Sequence, residues 1–132
     1  MMTEISITTH RRTELINIDS LIEEAVKKSG VSEGICIVWV PHTTAAVTIN
    51  ENADPDVVED IIKETEKIVP FQDGYLHAEG NSAAHIKSTL FGPSITIVVS
   101  GGRLVLGTWQ SIFFCEFDGP RKRRVVVKVV GG

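Results

Sequence analysis

The stretch SITIVVSGGRLVLGTWQSIFFCEFDGPRKRRVVVKVV, residues 94–130, decides the fold class. Four segments inside it, SITIVVS, RLVLG, WQSIFFCEF and RRVVVKVV, are rich in β-branched and aromatic residues, which pack well on a pleated surface. Gly101-Gly102 and Asp118-Gly119-Pro120 interrupt the run where the chain must turn. Consecutive strands joined by tight turns predict antiparallel sheet.

Upstream the pattern is mixed. Residues 3–9 (TEISITT) alternate, with Ile5 and Ile7 on one face, and residues 13–18 (TELINI) repeat this less cleanly. Residues 19–29 carry Leu21/Ile22 and Ala25/Val26 at helical spacing, with Asp19 as N-cap, Lys27 and Lys28 near the end and Gly30 as the stop. ICIVWVP, 35–41, is apolar on both strand faces and predicts a central strand buried from two sides. TAAVTIN, 44–50, puts Ala45, Val47 and Ile49 on one face and Thr44, Ala46, Thr48 and Asn50 on the other. His42 joins that second, small and polar face where the strand continues through the turn.

Residues 54–69 open with Asp54 as N-cap and Pro55 at the first helical position. Val57, Val58, Ile61, Ile62, Ile68 and Val69 form a stripe expected to be buried, and Pro70 ends it. A polar loop over 71–80 follows. Asn81 then caps a short helix to about Leu90, closed by Gly92-Pro93. Three helices grouped among six or more strands predict a single α+β domain, mainly antiparallel. Open sheet edges need covering, and a hydrophobic chain can cover them by oligomerising.

With 132 residues, the chain is long enough to bury a core without staples. Its 42% hydrophobic and 23% charged content excludes a disordered chain, and a net charge of −4 argues against a general nucleic-acid binder. Cys36 and Cys115 lie in apolar runs and read as buried free thiols in a reduced compartment. The opening TEISITTHRRTE has no apolar signal core, and no run approaches a membrane span. The expectation is a soluble, cytoplasmic protein with no nucleic-acid or membrane partner.

PHTTAAVTINEN (41–52), HAEGNSAAH (77–85), SGGRLVLGTWQ (100–110) and EFDGPRKRR (116–124) carry more polar chemistry than packing needs. His10 sits beside Arg11 and Arg12 and reads as solvated. His42, His77 and His85 each adjoin small residues, which leave room for a ligand. Three imidazoles with an open fourth position make a catalytic zinc site. Three unrelated histidines are the plainer alternative, because no tight spacing such as HExxH is present.

Glu51 and Glu79 are each a general base, a metal ligand or an orienting group, or simply solvated loop acids. Gly101-Gly102 is a phosphate nest or a hairpin turn. The helix start after Asn81 is a second candidate anion site. Trp109 is placed to stack on a planar ring while Gln110 reads its edge, or else the indole closes the core. The run RKRR, 121–124, binds phosphate or guards the valine-rich strand behind it against aggregation, and the second reading is the stronger.

In their order along the chain, SGGRLVLGTWQSI (100–112), PHTTAAVTINEN (41–52) and DGYLHAEGNSAAHIKSTLFG (73–92) resemble the YjbQ-like family, credited with secondary thiamine-phosphate synthase activity. The similarity runs over essentially the full length. It implies an α+β, mainly antiparallel β-sandwich with helices packed on the sheets, assembled as a homotrimer with a metal- and anion-binding site at the subunit boundary. It also implies His42, His77 and His85 as metal ligands, with Asn50, Glu51, Glu79, Asn81, Trp109 and Gln110 lining the pocket. Ser82, Ala83 and Ala84 then keep the helix mouth open for substrate, with Ser82 among the substrate-binding residues. Glu79 and Glu51 take the catalytic roles.

The reaction joins a hydroxymethylpyrimidine diphosphate to a thiazole phosphate and releases pyrophosphate. Three imidazoles suit zinc, whereas diphosphate chemistry normally uses magnesium held by carboxylates and water. Zinc is the first expectation for the cofactor and magnesium the second, with a small phosphorylated substrate or anion as partner. Metal-assisted hydrolysis and a non-catalytic trimeric metal- or anion-binding module are the competing functions.

Overall fold

The computed structural model describes residues 2–132. In chain order these form β1 Met2–Thr8, β2 Glu14–Asn17, α1 Asp19–Ser29, β3 Glu33–Trp39, β4 Ala45–Glu51, α2 Pro55–Ile68, α3 Ser82–Phe91, β5 Ser94–Ser100, β6 Arg103–Leu104, β7 Gln110–Glu116 and β8 Lys122–Gly131. A five-stranded sheet has the order β1-β8-β3-β5-β6, and a three-stranded sheet the order β2-β7-β4. Every pairing is antiparallel. The α+β sandwich is therefore as the sequence predicts.

Alternation along the strands builds the core. β8 turns Val125, Val127 and Val129 inward, β3 contributes Cys36 and Val38, and β5 contributes Ile97 and Val99. These meet Ala45, Val47, Ile112 and Phe114 from the small sheet, with Ile22, Ala25 and Val26 of α1 sealing one side. β7 is buried on both faces. Phe113 and Cys115 pack the other way, with Phe117, against Ala46 and Ala84 of α3. Each such apolar side chain contributes roughly 1.5–3 kcal/mol by leaving water. Both cysteines are free and buried, and burial pushes the Cys36 thiol up to about 11.

Several local expectations change. Asp19 is the first residue of α1, not its cap. Its carboxylate accepts the Ile112 amide at 2.7 Å, and Asn17 Oδ1 accepts the Asp19 amide at 2.8 Å. Asp54 does cap α2, accepting from the Asp56 amide at 2.9 Å, and Gly30 ends α1 at φ 72°. The strand expected over 103–107 shrinks to Arg103–Leu104.

Two apolar surfaces are less buried than their sequence suggests. β3 is central in its sheet, but only one of its faces is covered. Ile35 and Trp39 stay exposed, beside Val98 of β5 and Val130 of β8, which pair across from Ile35. The stripe on α2 is only half-buried, no residue of that helix is fully buried, and Ile68 is exposed. Among the described residues, no helix is long and apolar enough to cross a membrane.

Candidate functional site

β3 stops at Trp39 and β4 begins at Ala45, so residues 40–44 cross from the large sheet to the small one. That crossing carries His42. Val40 N–H donates to the Pro93 carbonyl at 2.7 Å and Phe117 N–H to the Thr44 carbonyl at 3.2 Å, which pins the crossing at both ends. A cleft of about 730 Å³ opens here. His42, Thr43 and Thr44 line it from the crossing, His77 and Glu79 from the loop, Asn81 and His85 from the start of α3. Asp118, Arg121 and Arg123 close it from the β7–β8 side, with Trp39 at its rim.

Arg123 and Glu116 form a buried anchor beneath the cleft. The parity of β8 sends Arg123 inward with Val125 and Val127, where only a paired cation is tolerated. Its Nε donates to Glu116 Oε1 at 2.8 Å, and Nη2 donates to Glu116 Oε2 and to Thr44 Oγ1, the latter at 2.8 Å. Glu116 also accepts from Thr9 Oγ1 at 2.7 Å and from the Asp118 amide at 3.0 Å. Burial raises its carboxyl pKa, but the hydrogen bonds and charge of Arg123 outweigh burial and hold it below the usual range. Gly119 is required beside this pair, because a Cβ there would meet the Arg11 carbonyl at 2.2 Å and Glu116 Cγ at 2.8 Å.

A second arginine is held differently. Arg121 Nη2 donates to Asp118 Oδ2 at 3.1 Å and Nε to the Asp118 carbonyl at 3.0 Å. Asn81 Nδ2 donates to the same Asp118 oxygen at 2.9 Å. Arg121 is half-exposed and lines the cleft, with its fork oriented but not consumed. Asn81 occupies the cap position of α3 without using its side chain as a cap, since that side chain reaches Asp118 instead.

The His77 and His85 rings meet edge to face with centroids 5.4 Å apart, and His77 Nε2 lies 4.0 Å from Glu79 Oε1. His42 is engaged differently: its Nε2 accepts the Arg124 amide at 3.1 Å. Burial, with the charges of Arg123 and Arg124, keeps the His42 imidazole pKa below the usual histidine range. The donor types suit zinc, but among the described residues no three His, Cys, Asp or Glu side chains surround a common point as an ion requires. A three-histidine zinc site does not fit these positions.

The remaining expected site residues lie apart from the cleft. Asn50 and Glu51 end β4, opposite Ser111 and Gln110 of β7. Seven residues of β4 separate this end from the histidines, roughly 20 Å at about 3.3 Å per residue. Trp109 is 62% exposed and closes no core. Gln110 Oε1 accepts the Gly107 amide at 2.8 Å, so this oxygen shapes a turn. Ser82 opens α3 without lining the cleft. Gly101 and Gly102 form the hairpin turn, their amides donating to Glu33 Oε1 at 3.4 Å and to the Ser32 carbonyl at 3.0 Å, which removes the phosphate-nest reading. Asp118 lines the cleft but reads in the sequence as a turn residue, whereas Arg121 and Arg123 enter that reading only within RKRR, with phosphate binding as the weaker alternative. Their signal lay in EFDGPRKRR, where a basic run before a valine-rich strand reads first as a solubility device.

A two-sheet α+β domain with a histidine- and arginine-lined cleft at one end of its small sheet is the class these features define. The family model for UPF0047 protein YjbQ-like matches residues 3–132, and the chain belongs to this family. UPF0047 protein MJ1081 of Methanocaldococcus jannaschii is 50% identical over 99% of this chain and 95% of its own length. UPF0047 protein YugU of Bacillus subtilis is 45% identical over 99% and 100%. Among solved structures, a conserved YjbQ/UPF0047-family protein of Clostridium acetobutylicum superimposes with a TM-score of 0.95 at 52% identity, covering 97% of this chain and 99% of that one. A YbjQ-like protein of unknown function from Sulfolobus solfataricus gives 0.96 at 36% identity, covering 100% and 97%.

Proposed function

We propose that the cleft binds a phosphorylated small molecule and that the protein is an enzyme of the thiamine-phosphate-synthase type. The observation that carries this reading is the convergence of His42, His77, His85 and the oriented Arg121 on one cleft. In that reaction the bond from the pyrimidine methylene carbon to the diphosphate oxygen breaks, and pyrophosphate leaves with the electron pair. The thiazole nitrogen attacks the methylene carbon and forms the new C–N bond. Arg121 meets the charge that develops on the leaving group. Asp118 and Glu79 are the two cleft carboxylates that could hold a magnesium ion brought by the diphosphate, which would supply positive charge to the leaving group.

Hydrolysis at the same cleft is the second reading. Glu79 favours it, as an open carboxylate 4.0 Å from His77 that can take a proton from water. A non-catalytic binding module predicts saturable pyrophosphate binding without turnover. Incubating the protein with both thiamine precursors and following pyrophosphate release separates the three. Release that requires both precursors supports the synthase, release from the diphosphate alone supports hydrolysis, and binding without release removes both.

The assembly belongs to the same proposal. The uncovered face of the large sheet, with Ile35, Val98 and Val130 in register and Trp39 further along β3, suits a homotrimer interface. Trp39 belongs both to this surface and to the cleft rim, so a copy seated here borders the cleft. The Asn50, Glu51 and Trp109 end then enters a cleft from a neighbouring copy. Sedimentation analysis checks the trimer, and a monomer at micromolar concentration would remove it.

A further inference from the structure

His42 carries the inference. β3 ends at Trp39, opposite Val126 of β8. Arg124 lies two residues further along β8 on the same edge, beyond the reach of β3, and His42 Nε2 takes its amide proton at 3.1 Å. A backbone N–H is always a donor, so Nε2 must present its lone pair. In the neutral ring the proton then resides on Nδ1. Among the described residues Nδ1 has no hydrogen-bond partner, and it is not enclosed, because Asn81 Oδ1 is the one buried side-chain polar atom without a partner there. His42 lines the cleft, and with Nε2 tied to the Arg124 amide, Nδ1 is the ring nitrogen left to serve a ligand there. A coordinated imidazole needs the reverse arrangement, a lone pair toward the ion and the proton on the other nitrogen.

We propose that His42 is a tautomer-fixed hydrogen-bond donor that presents Nδ1–H to a phosphoryl oxygen of the bound ligand, and is not a metal ligand. The ligand half of this assignment rests on the phosphorylated-ligand reading above, whereas the tautomer rests on the Arg124 amide alone. The two basic groups divide the work. Arg121 supplies charge to the ligand, and His42 supplies direction through a single oriented donor.

The test is nitrogen-15 spectroscopy of the full-length protein labelled in histidine, at about pH 8, where a free imidazole is neutral. A His42→Asn variant identifies the His42 signals by their loss. The expected result is a protonated Nδ1 and an unprotonated Nε2 at His42. Pyrophosphate should shift Nδ1, and added zinc should leave both nitrogens in place. A protonated Nε2, or a His42 nitrogen that moves to a metal-bound position with zinc, overturns the assignment. Shifts at His77 and His85 without one at His42 Nδ1 overturn the ligand half alone. A titration that moves no cleft histidine overturns the phosphorylated-ligand reading itself and leaves the tautomer to be judged from the metal-free spectrum. As a second readout, His42→Asn keeps an amide donor near the Nδ1 position and should hold pyrophosphate affinity within about threefold, whereas His42→Phe should lose about tenfold.

Discussion

The two ends of the small sheet have opposite characters. At one end the chain spends buried charge: Arg123 and Glu116 lock together beneath a cleft, and Arg121, Asp118 and Asn81 form a half-exposed chain along its wall. At the other end Trp109 and Asn50 are exposed, Glu51 is half-buried, and Gln110 is engaged in a turn. Pre-organisation marks the first end as a site in its own right. The second end has the composition of a site without its anchor. In the proposed trimer it would complete the cleft of a neighbouring copy.

The contrast is most easily broken at its foundation. Arg123→Met leaves Glu116 charged and unpaired in the core, and should cost about 3–5 kcal/mol in urea unfolding. Pairing it with Glu116→Leu should recover most of that loss, because removing both charges avoids stranding either. A loss below about 1 kcal/mol for the single variant would mean that the anchor is not what holds the cleft.

The relation between the two ends is tested by mixing subunits. His85→Ala and Trp109→Ala should each reduce pyrophosphate affinity about tenfold or more when assembled alone. Trimers refolded from a mixture of the two should regain a fraction of intact clefts, because a subunit keeping His85 can meet one keeping Trp109. No recovery on mixing, with both parents impaired, would place the two residues in one subunit's site and contradict their separation by the length of β4.

Acid sharpens the comparison more gently, since His42 and Glu116, the two groups whose lowered values matter in acid, sit at the histidine end. The folded imidazole of His42 resists a proton that the unfolded ring accepts below 6.5, so stability should begin to fall there as pH drops. The Glu116 carboxyl pKa is depressed on folding. Its contribution is fully present above about 4.5 and is lost as pH falls through the lower folded value. Thermal unfolding midpoints from pH 8 to pH 3 should therefore decline in two stages, and Thr9→Val, which removes one donor to Glu116 and so brings its folded value nearer the unfolded one, should shrink the second. A flat profile across both windows would contradict the assignment.

Much of this architecture is legible in the sequence because it rests on local pattern. The strand alternation, the turns at Gly101-Gly102 and Asp118-Gly119-Pro120, and the Asp54-Pro55 start of α2 depend on neighbours along the chain. Burial on the second face of β3 does not. ICIVWVP has the same composition whether Ile35 and Trp39 meet a helix, a second copy or water. The half-covered stripe of α2 has the same cause. The three histidines could be gathered through the family resemblance, but the use of each nitrogen depends on partners remote in sequence, such as Arg124 for His42. Asn81 and Asp118 meet across 37 positions, and no periodicity links them. Arg121 was hidden by its neighbours: four basic residues in a row look alike until the turn and the strand send each in its own direction.

The central claim is that the cleft at the histidine end binds a phosphorylated ligand through a pre-oriented cation. Calorimetric titration of pyrophosphate into the wild type and into Arg121→Ala tests it most directly. Arg121 is half-exposed, so its loss should change stability by no more than about 1 kcal/mol while weakening binding about tenfold or more. Saturable binding that disappears in the variant, on a protein that unfolds at the same urea concentration, is the predicted result. Absent binding in the wild type, or equal affinity in both proteins, would contradict the account.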